Sequence, residues 1–393
     1  MSIADDIIWH QIHMERYKKG VQNKMIKELD AALKDINKRI RALKRKIESG
    51  NSRAYWSLHQ MELQSKEIRA LMTNNYAKLN TMLESSNKDL AHNEIEWNVS
   101  ALQKQAGAST TVAAPTIQAV YTAVKERPFE GWLNKQGNLI YAHNSPLRKL
   151  PRRHMVEVQR AVQTAFITGR TTKEVADGIR VLDEALLKIN KSYDIARRNV
   201  VAEARTSLQT YANRAREETY SANEDLFPWV EYFSTLDSRT SDICASLDGR
   251  TYRLSDESRP VIPQHWNCRS TYVPKKTRDE QLQGTRPSVD PGDSYEHGDN
   301  LTASGKVRRS APKGKLVRNP TNKATTTFNE WLSEQDRVNP DFVRDYFKSD
   351  ERYNLWKTGK LGKIQYTSLD GRTYNIKALS DVNSTINNQL TAR

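Results

Sequence analysis

The chain has 393 residues, 37% of them hydrophobic, with a mean hydropathy of -0.78; it is too long for one ordinary core, so two or three domains with exposed helices or linkers are expected. Its 62 basic residues against 47 acidic ones give a net charge of +15 and a pI near 9.6, favouring a polyanionic partner, nucleic acid ahead of a membrane surface. No apolar run reaches the ~18 residues of a spanning helix. The opening Met1-Ser2-Ile3-Ala4-Asp5-Asp6 lacks the basic-then-apolar pattern of a secretory leader, and two cysteines suit folding in a reducing cytoplasm.

Residues 1–104 read as a helical, coiled-coil-like arm. Ile26, Leu29, Leu33, Ile36, Ile40, Leu43 and Ile47 recur at steps of three and four, which places one narrow apolar stripe on a helix. Ser49-Gly50-Asn51-Ser52 breaks the helix with a glycine cap and a new N-cap. Leu58, Met61, Ile68, Met72, Leu79 and Met82 continue the spacing, so an antiparallel hairpin of two long helices is expected. Lys38, Arg39, Arg41, Lys44, Arg45 and Lys46 make a basic cluster on its outer face, either a solvated face or a contact for DNA or an acidic protein.

The small residues at 105–115 read as a hinge, and 116–278 as a helical domain ending in a Cys/His β-hairpin motif. A helix start is expected at Thr171 or Thr172, and Tyr193 to Ala222 as one long helix whose alanines permit close packing. Its arginines, 197, 198, 205, 214 and 216, are accounted for by packing and solvation. Trp229 to Phe233 alternates like a strand. Asp248-Gly249 is a hairpin signal, with Thr251 to Leu254 as the returning strand. Ser246 to Tyr252 recurs letter for letter at Ser368 to Tyr374, read as one hairpin solution used twice. Residues 279–326 read as a flexible basic linker in which Lys306, Arg308, Arg309, Lys313, Lys315 and Arg318 are candidate phosphate contacts. Residues 327–393 read as a short, aromatic-rich α/β tail packing back on the core. The fold class is mainly α with a small β-hairpin unit, α+β.

Cys244, His265 and Cys268 supply two thiols and an imidazole, the ligands zinc prefers. Asp237, Asp242 and Asp248 are candidates for a fourth, oxygen ligand. A structural zinc site, a Cys244–Cys268 disulfide and unliganded packing are the three readings of this cluster. The chain has no His-Glu-x-x-His, Walker loop or Gly-x-Ser-x-Gly, so no catalytic constellation is expected, although Asp248 or Glu257 would be the base of a metal-dependent reaction.

Thr235-Leu236-Asp237 through Cys244, then Leu247-Asp248-Gly249-Arg250, then Pro263 with His265, Asn267, Cys268 and Arg269, resemble the signature of the Mu F-like minor head proteins of tailed bacteriophages. Gly169 to Ala176, Ala196 to Arg205 and the Phe328 to Leu361 region are similar to the rest of that domain, giving coverage of about 160–370. Many members end the motif Cys-Arg-Cys where this chain has Ser270, so Asp237 or another oxygen is the expected fourth ligand. The resemblance implies a non-enzymatic virion protein of the head interior near the portal, made in the host cytoplasm. Its implied partners are the portal, major capsid or scaffold proteins, and double-stranded DNA in packaging or ejection, with no membrane. A zinc-dependent nuclease or toxin-like enzyme, and a free-standing DNA-binding protein, are the alternatives.

Overall fold

The computed structural model describes residues 2–48, 58–133, 172–288 and 321–358, together with His154, Val156, Val158 and Arg160. Helices α1 (Ile3–Glu48) and α2 (Leu58–Ala106) carry the stripes read from the sequence. They run antiparallel, since His10 meets Glu94, Glu28 meets Lys78 and Arg39 meets Glu67. After the short α3 (Ile117–Glu126), which packs its buried Val120 and Val124 inward, comes α4 (Thr172–Ser221). It lies antiparallel to α1, through Glu15–Arg205 and Asp30–Arg197, and parallel to α2, through Glu94–Arg216 and Asn98–Tyr220. At ~1.5 Å per residue the long helices each extend about 70 Å.

The arm is therefore a three-helix bundle. Leu29, Ile36 and Ile40 of α1 and Ile68, Met72 and Leu79 of α2 are buried together with Ala196, Val200, Ala204, Leu208 and Ala212 of α4. Ile26 is only half-buried and Met25 is buried in its place, because a 3.6-residue helix drifts ~20° per heptad off a strict seam. The side chains of Leu43, Ile47, Leu58 and Met61 lie outside the described residues, as do residues 49–57.

The expected hinge at 105–115 is tethered. Gln103 Nε2 donates to the carbonyls of Gly107 and Thr110, at 2.8 and 2.6 Å. The Asn223 side chain accepts from the amide of Ala113 at 2.7 Å and donates to its carbonyl at 2.9 Å. Small residues suggested freedom, but the groups tied down are backbone carbonyls and an amide, which no side-chain pattern announces.

Strand β1 (Trp229–Phe233) is the centre of a three-stranded antiparallel sheet between β2 (Thr251–Arg253) and β3 (Thr271–Lys275). The hairpin expected at Asp248-Gly249 is corrected: a helix, α5 (Asp242–Leu247), intervenes, capped by Ser241 Oγ accepting from the Cys244 amide. Gly249, at φ 77, then turns the chain into β2. The local Asp-Gly signal was real, but it serves a helix-to-strand turn rather than a two-residue loop. Beyond β3, β4 (Thr285–Pro287) pairs with β5 (Thr321–Lys323), so both ends of the expected linker are strands. The candidate basic residues from Lys306 to Arg318 lie outside the described residues, as does the second Ser-Leu-Asp-Gly-Arg-Thr-Tyr copy.

The chain then folds back, as expected, through α6 (Phe328–Val338), α7 (Pro340–Phe347) and α8 (Asp350–Lys357). Thr327 and Glu330 form a capping box at the start of α6. Phe328, Trp331, Leu332, Val343, Phe347 and Tyr353 bury Leu236 and Ala245 of the strand unit. Asp248 clasps the junction: Oδ1 accepts from the Ser234 amide and Arg286 Nη2, both at 2.6 Å, and Oδ2 from the Phe328 amide at 2.6 Å and Arg286 Nη1 at 3.0 Å. None of the described helices is long and apolar enough to cross a membrane.

Candidate metal centre

Cys244 sits in α5, and His265 and Cys268 in the loop that leads to β3. The loop closes on a turn in which the Cys268 amide donates to the His265 carbonyl at 3.1 Å. Asn267 occupies the left-handed region at φ 61, which asparagine tolerates better than most residues. The bundle fixes the loop from behind: the Asn267 amide donates to Thr206 Oγ1 at 3.0 Å, and Gln209 Nε2 to the Ser270 carbonyl at 2.8 Å. Both acceptor and donor sit on α4, so the long helix is the platform on which the loop is laid.

Three ligand atoms converge. Cys244 Sγ lies 3.2 Å from His265 Nε2 and 3.7 Å from Cys268 Sγ, and all three lie within 4.8 Å of one another. Both cysteines are buried and unbridged, since a disulfide requires sulfurs ~2.05 Å apart. Two thiolates on one tetrahedral zinc at ~2.3 Å would lie ~3.8 Å apart, and a thiolate and an imidazole nitrogen ~3.6 Å. The donor set and its spacing fit a soft divalent ion.

Without a metal the cluster shares its protons unevenly. Cys244 is pushed well above the ordinary thiol value by its hydrogen bond to Cys268 and by burial. Burial works to raise Cys268 too, but its contacts with Cys244 and His265 outweigh it and hold this thiol well below. Burial alone would lower His265; the Cys268 sulfur raises it instead. His265 Nδ1 donates to the Trp266 carbonyl at 2.9 Å, which aims Nε2 at the sulfurs. A metal would displace the protons this cluster shares.

Asp237, the expected fourth ligand, is turned away. Its two oxygens accept a fork from Arg269, at 2.5 and 2.7 Å, and Oδ1 also accepts from the Arg239 amide at 3.1 Å. Within the cluster's shell sit instead Tyr232, whose hydroxyl donates to Cys244 Sγ at 3.3 Å, and the buried Ser270. Asp242 accepts from the Tyr346 hydroxyl at 3.4 Å, and Asp248 is committed to Arg286. Sequence reasoning marked Ser270 only as the place where the family's further cysteine is missing, and it did not single out Tyr232. Tyr232 was legible only as an inward position of an alternating strand.

Comparison with family models finds residues 156–273 matching the family described as Phage Mu protein F like protein. The chain carries a Mu F-like segment. Within this segment lie α4, the sheet's three strands as far as Val273, and all three ligand residues. Phe328 to Leu361 falls outside the matched residues. Comparison with curated proteins and with solved structures returns no match.

The basic cluster on α1 divides. Lys38, Arg41 and Arg45 are exposed, and with Lys34 they line one shallow groove. Arg39 is paired with Glu67 and, at 3.7 Å, with Asp35. The side chains of Lys44 and Lys46 lie outside the described residues. Two arginines of α4 that packing and solvation were expected to explain are instead fully buried ions. Arg216 Nε donates to Glu94 Oε2 at 2.9 Å, and Arg214 Nη1 to Glu217 Oε2 at 3.1 Å. Burial works to raise Glu94, but Arg216 and His10 hold it below the usual carboxylate value. Which arginine of a helix faces inward depends on where its neighbours lie, and the sequence of one helix does not state that.

Proposed function

We propose that this protein is a non-enzymatic minor head protein of a tailed phage that associates with the portal during head assembly. The observation that carries the reading is the Mu F-like match over residues 156–273, with the Cys244–His265–Cys268 cluster inside it. In this reading the three-helix bundle is a rigid spacer of about 70 Å presenting side chains to other head proteins. The exposed Lys38, Arg41 and Arg45 and the basic stretch from Lys306 to Arg318 contact DNA through its phosphates. Zinc on Cys244, His265 and Cys268 staples the small strand unit, so metal affinity becomes folding free energy.

Crosslinking mass spectrometry of purified heads and procapsids tests the assembly role. Crosslinks from this chain to portal subunits are expected, and its absence from heads would sink the reading. DNA retention that falls steeply as salt rises supports phosphate contact; retention indifferent to salt argues against it. Plasmid cleavage by metal-loaded protein that disappears in Cys268→Ser would overturn the non-enzymatic reading.

A further inference from the structure

We propose that the coordination position left open by the described ligands is filled by an anion of the phosphate class, entering through the cleft between the Mu F-like segment and α7. The inference rests on the metal reading above and concerns the coordination position which that reading leaves open.

The described residues offer a tetrahedral ion three donors of the kinds zinc ordinarily takes. Asp237 is held by Arg269, and Ser270 presents a hydroxyl, which is not among those kinds. Closed structural sites have four protein ligands, whereas three ligands leave a position for water or a guest. The cluster is sealed on the side of the sheet and bundle, where Tyr232, Cys244, Cys268 and Ser270 are all buried. On the other side His265 is only half-buried and forms part of the wall of a cleft of about 650 Å³. Ser241, whose hydroxyl caps the turn carrying Cys244, lines the same cleft.

The cleft's opposite wall is built by the C-terminal helices. Tyr346 reaches across it, its hydroxyl donating to the Thr240 carbonyl at 3.1 Å. Arg239, Lys348 and Arg352 line the cleft against the acidic Asp242 and Asp345; Asp242 is engaged by Tyr346, and Arg239 pairs with Asp237 at 3.6 Å. The Lys348 ammonium and the Arg352 guanidinium in the cleft wall are groups of the kind that hold a phosphate oxygen by charge-assisted hydrogen bonds. Phe342 and Phe347 give the cleft an apolar side.

The test uses the full chain loaded with Co²⁺, whose thiolate complexes absorb in the visible and report a change of ligand. Inorganic phosphate should shift these bands saturably, and acetate at the same concentration should do so less. In Lys348→Glu, an exposed position on α7's end, the half-saturating phosphate concentration should rise about tenfold. Cobalt–thiolate bands that phosphate leaves unmoved would overturn the open-site inference while leaving the metal reading intact. A response as strong to acetate would overturn the phosphate assignment, and one undiminished in Lys348→Glu would remove it from this cleft. Failure to form cobalt–thiolate bands at all would remove the metal reading and this inference with it.

Discussion

Asp248→Asn should be among the most damaging isosteric changes in the described fold. The carboxylate accepts four hydrogen bonds, two on each oxygen, from Ser234, Phe328 and both terminal nitrogens of Arg286. An amide keeps the shape but turns one oxygen into a donor, so two of the four bonds become donor–donor contacts. It also removes the counter-charge of Arg286, whose side chain is 4% exposed. Removing one partner of a buried ion pair costs ~3–5 kcal/mol, a large part of the ~5–15 kcal/mol that holds a typical domain. Thermal unfolding should shift down on the order of 10 °C. Limited proteolysis should release α6 to α8 early, because the Phe328 amide that starts α6 rests on this carboxylate. In Arg286→Met the penalty of Asp248→Asn should shrink, which a double-mutant cycle measures. A loss under about 1 kcal/mol, or strict additivity with Arg286→Met, would refute the clasp.

Three other outcomes are expected. Stripping metal with a chelator should lower the unfolding temperature of the wild type and leave Cys268→Ser unmoved; saturating zinc at about 100 times its Kd would restore ~2.7 kcal/mol. Stability should fall on acidification in two windows, followed by circular dichroism across pH. Burial lowers His154 to about 4, so its contribution is complete above ~6.5 and lost as pH falls towards that value. Glu15, Glu94 and Glu217 lie below their ordinary values, because their basic partners outweigh burial; their contribution is complete above ~4.3 and lost only below it. A flat profile between neutral pH and pH ~5 would count against the buried, neutral His154. Finally, Ala212→Leu should cost ~1–3 kcal/mol by overpacking, since Ala212 is 0% exposed between the long helices; urea unfolding with no change in midpoint would show the bundle to be looser than described.

The long helices, their antiparallel hairpin and the aromatic tail folding back were legible in the sequence, because each rests on local periodicity. Leu29, Ile36 and Ile40 had to face a partner whatever that partner was, and they do. The cluster was legible by type as well, since cysteine and histidine are rare in this chain and stand close together in it. Proximity along the chain did not say which acid would join them. Asp237 faces Arg269 because α1 and α4 pull the loop around Arg269 into place, through Gln11 on its carbonyl and Gln209 on that of Ser270.

Sequence alone thus determined the elements and the chemical types available, because helix period, turn residues and side-chain identity act over a few neighbouring positions. Tertiary structure decided the rest. It laid α4 along the hairpin to make a bundle, and it buried Arg214 and Arg216 as ions while leaving Arg41 and Arg45 in solvent. It set two sulfurs and an imidazole within ligand distance beside a cleft. Each of these depends on residues tens to hundreds of positions apart meeting in space, where burial, counter-charge and distance are fixed by packing and not by any one stretch of chain.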